Sequence, residues 1–471
     1  MMRIAAQRFV QLRYLAPLGQ QLNVGTTESR RRLASLKTNK NNGRKPIRSG
    51  NGLSEHIQSA LSVQGRVKDA GFNISFLGTG GGVPSVQRMT SATLLRLGGM
   101  TFLFDAGEGV QRQIMSTRGS PQDITRIFIT HLHGDHVLGL PGLLLELQQT
   151  RGVNDKEIEV YGPPGIYNFI AANLALCRAH FAFVTVTVYE LVGGDADSGL
   201  QQQQQDGNDG NKNGRRRWRN IRHSHYPEIA NRKLVRKSIR RDNRGVWVIQ
   251  APSELTHETV MKGTSKGHAL SNDQNANKRK QLHIMAAEVE HQDGIQTFGF
   301  TVQEQEPPKN IDPKKAIQLG LTPGPKYNVL KSGFPVESDD GTREIHPSEV
   351  LTDETKKARK FALVGDNCRL SDAMLKLCQD ADVLVHEATM PSSMKAAAIQ
   401  RKHATAEMAG LVARDVNARV LVLNHLSPRV RTETDVRQVE EEAVAANNGV
   451  SRVVVAHDFM ELLVPPHGYE W

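Results

Sequence analysis

Cysteine is scarce in this chain of 471 residues: Cys177, Cys368 and Cys378 are scattered and form no C-x-x-C pair. That argues against a disulfide framework and fits a reducing compartment. No run of about 18 apolar residues occurs, so no transmembrane helix is predicted and no membrane partner is expected. The glycine run Gly78, Gly80, Gly81, Gly82 has no Lys-Ser/Thr after it, which excludes a Walker loop, and no nucleotide cofactor is expected. The run is then either a phosphate cradle or a tight turn near another site. Acids are nearly absent from residues 1–49, where Glu28 stands against eleven Arg and Lys. With Ser and Ala interspersed, that bias reads as an organelle transit peptide, mitochondrion ahead of plastid, the alternative being a disordered basic tail. The formal net charge is +11. Such a balance favours a polyanionic partner, although basic flexible segments produce it too.

What is present is concentrated in ITRIFITHLHGDHVLGLPGLLL, Ile124 to Leu145. His131, His133, Asp135 and His136 place four metal-capable side chains in six residues, between an apolar β-branched run and an apolar continuation. Ile127 to Ile129 predicts a buried strand, Gly134 a tight turn, and Gly139 to Leu145 a helix. Imidazole nitrogens and a carboxylate suit zinc, and two adjacent ions can be held if further His and Asp arrive from elsewhere.

The length could hold two or three domains; one catalytic domain of about 300 residues is expected. It opens near Phe72. Asn73 to Leu77 is a predicted strand, and Thr93–Leu97 with Met100–Phe104 a hairpin. Asp105, Gly107, Glu108 and Gln111 follow, placed to orient the metal ligands from behind. After a strand at 157–161 and a helix at 166–176, residues 193–281 read as a low-complexity insertion. It is Gln-rich, then Arg-rich, with a possible strand at Val246 to Ile249. His223 and His225 inside it read as surface residues. A hairpin carrying His291 begins at Leu282. Residues 306–333, rich in Pro, Gly and Lys with few core candidates, read as a protruding arm. Its Lys314, Lys315, Lys326 and Lys331 either meet phosphates or are simply solvated.

The second half alternates strand and helix. Strands at 361–364, 383–385, 420–423 and 453–455 each end in an acid or a histidine: Asp366; His386 and Glu387; His425; His457 and Asp458. Helices are expected at 371–377, 404–412 and 432–445. Together with the first metal strand, five strand ends are expected to converge on one sheet edge, where α/β proteins place their chemistry.

These residues carry a resemblance. HLHGDH at 131–136 resembles the H-x-H-x-D-H motif of the metallo-β-lactamase superfamily, an α/β fold arranged as a four-layer αββα sandwich. FLGTGGGVP (76–84), LFDAGEGVQRQ (103–113), EHQDGIQTFGF (290–300), PGPKY (323–327), GDN (365–367), HEAT (386–389), HAT (403–405) and NHLSPR (424–429) make the chain similar to ribonuclease Z. That family is the endonuclease maturing the 3′ end of transfer RNA. The likeness spans Ile74 to Val464, and a single motif set makes it similar to the short form.

The resemblance implies two zinc ions per subunit. His131, His133 and His291 would hold one, Asp135, His136 and His425 the other, with Asp366 bridging. It implies Asp135 as general base and Glu387 with His403 in proton delivery to the leaving group. It also implies a nuclease domain at 72–465, a flexible arm acting as exosite on precursor tRNA, and a homodimer. Three positions depart from the family pattern: Met89, Asn367 and Asn424 stand where Asn, Thr and Thr are commoner, and none removes a ligand. Two alternatives remain, another hydrolase of the same superfamily acting on a small phosphodiester or thioester, and a non-catalytic RNA-binding protein of the same fold.

Overall fold

The apolar runs of the sequence become strands because both of their faces are covered. The computed structural model describes residues 72–117, 119–151, 157–193, 233–250, 282–306, 308–352 and 357–466. Residues 1–49, His223 and His225 lie outside them.

Two large sheets form the centre. The first runs in the order Glu461–Leu463, Phe72–Gly78, Ala92–Leu97, Met100–Phe104, Ile124–Phe128, Ile158–Gly162, Val186–Val192, Leu234–Arg240, and is parallel from Met100–Phe104 onward. The second runs Arg369–Leu370, Leu282–Glu290, Thr297–Glu304, Lys360–Val364, Val383–Glu387, Val420–Asn424, Arg452–Val455, its last four strands parallel. Both predicted hairpins are present, with Thr93 opposite Phe104 and Thr297 opposite Val289.

Three apolar clusters define the layers. One lies between the sheets, where Phe104 and Phe128 of the first meet Phe300 and Phe361 of the second; the Phe128 and Phe300 rings are 5.3 Å apart. A second covers the first sheet's outer face with the helices Val110–Met115, Leu140–Thr150 and Ile166–Leu176. The third covers the second sheet with Asp372–Cys378, Ala406–Asp415 and Glu433–Asn447. Helix, sheet, sheet, helix is the αββα sandwich. The last helix starts where the sequence says it should: Thr432 and Asp435 form a reciprocal capping box.

Four details differ from the sequence reading. The five strand ends do not share one sheet: Ile124–Phe128 belongs to the first, the other four to the second. Convergence comes from stacking two sheets edge over edge, which periodicity cannot reveal. Residues 234–240, inside the expected insertion, are a strand, in addition to the strand expected at Val246 to Ile249, which spans Val246–Gln250. The first extends sheet one beside Val186–Val192 and the second pairs with Leu282–Glu290. A row of unpaired backbone groups at a sheet edge recruits such a strand even when its side chains are charged.

The stretch 306–333 has core residues after all. Ile311, Ala316, Leu321 and Leu330 pack with Ile345 and Val350, so the lobe closes only with residues beyond 333. Lys326 is spent inside it, its Nζ 3.0 Å from Asp339 Oδ1 and 2.8 Å from Glu337 O. Finally, Asp458 braces a turn: it accepts from Thr79 N, Thr79 Oγ1 and Met89 N at 3.1, 2.7 and 2.7 Å, while His457 is exposed. No helix of the described residues is long and apolar enough to cross a membrane.

Candidate metal centre

At the carboxyl end of Ile124–Phe128 the chain leaves the sheet as Ile129-Thr130-His131 and turns through a short helix, Gly134–Val137. This turn is possible only because two loops touch closely. Ala106 N donates to His136 O and Gly139 N to Ala106 O, both at 2.8 Å. A Cβ on Gly107 would stand 2.5 Å from Asp135 O, and one on Gly139 2.2 Å from Gly107 O. Gly107→Ala and Gly139→Ala are therefore each expected to lower unfolding free energy by about 1–3 kcal/mol and to lower bound metal. Chemical denaturation with a metal assay checks both.

Sheet two brings the other side chains from above: His291 after Leu282–Glu290, Asp366 after Lys360–Val364, Glu387 at the end of Val383–Glu387 and His425 after Val420–Asn424. All seven predicted ligands come together. His131 Nε2 and His133 Nδ1 are 2.9 Å apart and His291 Nε2 is 3.3 Å from His133 Nδ1. His136 Nε2 and His425 Nε2 are 3.1 Å apart, with Asp135 Oδ2 at 3.5 and 3.2 Å from them. Asp366 stands between the groups, Oδ1 3.5 Å from His136 Nε2 and Oδ2 3.3 Å from His425 Nε2 and 3.9 Å from His131 Nε2.

These spacings fit a metal. Two donors about 2.0–2.1 Å from one zinc ion in a tetrahedron stand about 3.3 Å apart. Each ligand imidazole also has its second nitrogen engaged from behind, which fixes ring and tautomer. His131 Nδ1 faces Thr130 Oγ1 at 3.0 Å, His133 Nε2 faces Gln292 Oε1 at 3.2 Å and His291 Nδ1 meets Lys402 O at 2.8 Å. His136 Nδ1 meets Asp105 Oδ2 at 2.7 Å and His425 Nδ1 faces Thr389 Oγ1 at 2.9 Å. A Cβ on Gly81 would enter the His425 ring at 2.5 Å, and Gly82 N donates to Asp135 Oδ2 at 2.6 Å. The glycine run is thus the tight turn of the two readings, pressed against the ligands.

Of the four residues expected to orient the ligands from behind, Asp105 alone does so through its side chain, itself held by Thr130 N, Thr130 Oγ1 and Ser91 Oγ at 2.8, 3.1 and 3.2 Å. Gln111 turns to Gly142 O and Glu146, Glu108 is exposed, and Gly107 serves by having no side chain. Thr389 lies in the HEAT motif, whereas Ser91, Thr130 and Gln292 are single hydroxyls and an amide with no spacing signal. Of these three, Thr130 stands directly before His131.

The two groups differ in charge state. Burial and the neighbouring His136 hold His131 well below the usual imidazole range, and burial lowers His133 and His291. Burial opposes charge on His136 and His425 as well, but Asp105 and Asp366 raise the first well above that range and Asp366 and Asp135 raise the second. Asp135 and Asp366, despite burial, are held below the carboxylate range by His136 and His425. A metal therefore competes with protons more strongly at His136 and His425 than at the other three. The His131–His133–His291 group is expected to fill first at neutral pH, and the affinity of the other group to rise with pH. Zinc titrations of His133→Ala and His136→Ala proteins at pH 6 and 8 check this, with equal gains in both variants as the contrary outcome.

His403 completes the site. Its Nδ1 is 3.2 Å from each Glu387 oxygen, and Glu387 also accepts from Asn367 N at 2.6 Å and from Thr389 Oγ1. Burial lowers the His403 pKa, but the Glu387 hydrogen bond and charge, with Asp366 and Asp135, raise it to about 9. Clustered imidazoles and carboxylates of this kind, open on one side to a cavity of about 430 Å³, make a hydrolytic metal centre.

Comparison with known proteins agrees. A family model described as anti-Pycsar protein Apyc1 matches residues 72–169. Zinc phosphodiesterase ELAC protein 1 of Bos taurus is 33% identical over 404 residues, covering 83% of this chain and 98% of its own length. Ribonuclease Z of Bacillus subtilis is 30% identical over 393 residues, with 83% and 98% covered. Among solved structures, human tRNase Z, short form, superposes with a TM-score of 0.50 at 26% identity, covering 83% of this chain and 99% of that one. With this likeness running nearly the whole length of the curated relatives, the chain belongs to the ribonuclease Z family of metallo-β-lactamase-fold hydrolases.

Proposed function

We propose that this protein is a zinc-dependent endoribonuclease. It removes the 3′ trailer of precursor tRNA by hydrolysing the phosphodiester after the discriminator nucleotide, leaving a 3′ hydroxyl. One observation carries the reading. Seven candidate ligands converge with their ring nitrogens fixed, beside a His403–Glu387 pair that lies outside the two donor sets assigned to the metals.

The donor sets support two zinc ions, one on His131, His133 and His291, the other on Asp135, His136 and His425, with Asp366 facing both. When bound, such a pair supplies a water acidic enough to ionise near neutral pH and charge neutralisation at the phosphodiester. Asp135, held as a carboxylate by His136 and His425, accepts the proton of the attacking water. His403, protonated at neutral pH and steered by Glu387, donates a proton to the departing ribose oxygen, which is a poor leaving group as an alkoxide. The same geometry without the His403–Glu387 pair would serve an ester with a good leaving group. The pair is what favours RNA over a thioester or activated diester.

Precursor tRNA is the proposed partner on the strength of the family membership, because residues 1–49, with eleven Arg and Lys against Glu28, carry nearly all of the net charge of +11 and leave the rest of the chain close to neutral. Phosphate contacts by Lys and Arg release counterions, so cleavage of a precursor is expected to fall steeply as salt rises while hydrolysis of a small phosphodiester changes little. Parallel rate measurements at 50 and 200 mM salt check this; equal sensitivity would count against an RNA exosite. For the exosite itself, the lobe around 310–351 with Lys314, Lys315 and Lys331 is the proposed arm. Homodimerisation and import into the mitochondrion by the basic 1–49 segment belong to the same proposal, supported by the family membership and by composition. The deciding experiment incubates purified, metal-assayed protein with a trailer-bearing precursor and maps the cut to the nucleotide.

A further inference from the structure

The cavity at the metal centre extends past the ligands. Besides His403 and His425 it is lined by Met390, Pro391, Arg401, Ser427, Pro428 and Arg429. Both arginines sit on segments that the site itself fixes: Arg401 is two residues before His403, and Arg429 is four after His425. Several arginines among the described residues are committed to acids, among them Arg126 to Glu159, Arg236 to Glu190, Arg359 to Glu304 and Arg419 to Asp382. Arg88, close by, is buried against Thr79 Oγ1 and Ala456 O. Arg401 and Arg429 are the contrast. Both are exposed to the cavity mouth, neither forms an ion pair among the described residues, and the Arg429 side chain approaches Met394 Sδ at 3.8 Å.

Two guanidinium forks without an ion pair among the described residues line the same cavity as Met390, Pro391 and Pro428 and match one ligand chemistry. That ligand is a phosphate joined to an apolar-faced ring system, in other words a nucleotide. The position of His403 gives the direction. A proton donor must face the oxygen that leaves, so the sugar bearing that oxygen stands at His403, and the rest of its nucleotide lies toward Arg401 and Arg429. We propose that this wall is the subsite of the nucleotide whose 3′ oxygen departs, its sugar and base on Met390, Pro391 and Pro428 and its own 5′ phosphate clamped between Arg401 and Arg429. The subsite rests on the reading of the chain as an RNA phosphodiesterase. It adds to that reading the residues that choose which phosphodiester is presented for cleavage.

The test uses the metal-loaded, full-length protein and adenosine 5′-monophosphate, which carries a 5′ phosphate and a free 3′ hydroxyl as the matured end does. By calorimetry, the wild type is expected to bind it at least ten-fold more tightly than adenosine. The Arg401→Ala, Arg429→Ala double variant is expected to lose that margin, and the corresponding Lys variants to regain part of it.

In kinetics, the ratio of kcat/KM for a trailer-bearing precursor to that for bis(p-nitrophenyl) phosphate is expected to fall at least ten-fold in the double variant. An unchanged ratio, or an unchanged 5′-monophosphate margin, overturns the subsite. A wild-type protein that binds adenosine 5′-monophosphate through these arginines yet fails to cut a precursor would overturn the ribonuclease reading instead, so the two failures are distinguishable.

Discussion

Replacing His403 by Ala is expected to slow cleavage of a trailer-bearing precursor by a factor on the order of 10² to 10⁴, the usual worth of a positioned proton donor. Hydrolysis of bis(p-nitrophenyl) phosphate should fall far less, because nitrophenolate departs without a proton. The asymmetry follows from the site, where His403 faces Glu387 with Nδ1 at 3.2 Å and leaves its other nitrogen for substrate. The pH dependence has a definite sign. With its pKa raised to about 9, His403 is protonated through the neutral range, so precursor cleavage is expected to hold until that region and then decline as the acid form is lost. Glu387→Gln removes the carboxylate that raises it and should move the alkaline limb to lower pH. Equal losses on both substrates, or an alkaline limb indifferent to Glu387, would remove His403 from the proton-donor role.

Asp135 is the second large effect. Asp135→Asn keeps the side-chain volume and an oxygen for Gly82 N but gives up a carboxylate that lies 3.2 Å from His425 Nε2 and 3.5 Å from His136 Nε2. Cleavage of RNA and of the aryl diester should both drop, again by about 10² to 10⁴, because every substrate needs the water's proton removed. Metal content measured on the same sample separates loss of the base from loss of an ion. Full activity in a variant that retains its zinc would exclude Asp135 as the base.

The site was more legible than the architecture around it. HLHGDH announces itself because four donors in six residues have no other use, and His291, Asp366 and His425 follow once strand ends are matched to the family pattern. The two-sheet stacking that brings them together is not written locally. A buried strand reads the same in either sheet, since both faces are apolar. Leu234–Arg240 escaped because its sequence, LVRKSIR, carries four cations or polar residues, and its place at a sheet edge is decided by backbone pairing with Val186–Val192. The lobe at 310–351 escaped because its core is divided, with Ile345 and Val350 supplied from beyond the Pro- and Gly-rich stretch. Asp458 stands at a strand end, as its sequence context implies, but faces a backbone turn and not the metal ligands. Whether such an acid meets a metal or a backbone turn depends on which loop stands opposite, here Thr79 and Met89.

The outermost strand of the first sheet, Glu461–Leu463, pairs with Phe72–Gly78, and the last ligand, His425, arrives only shortly before it. Translation therefore delivers the HLHGDH loop some three hundred residues before the parts that complete it. While the ribosome is still making the middle of the chain, the early histidines have no opposing carboxylate from Asp366 and no roof. A nascent polypeptide that ends in the middle of the chain holds the HLHGDH loop without Asp366 and His425, so the group of seven side chains closes only when synthesis is nearly finished.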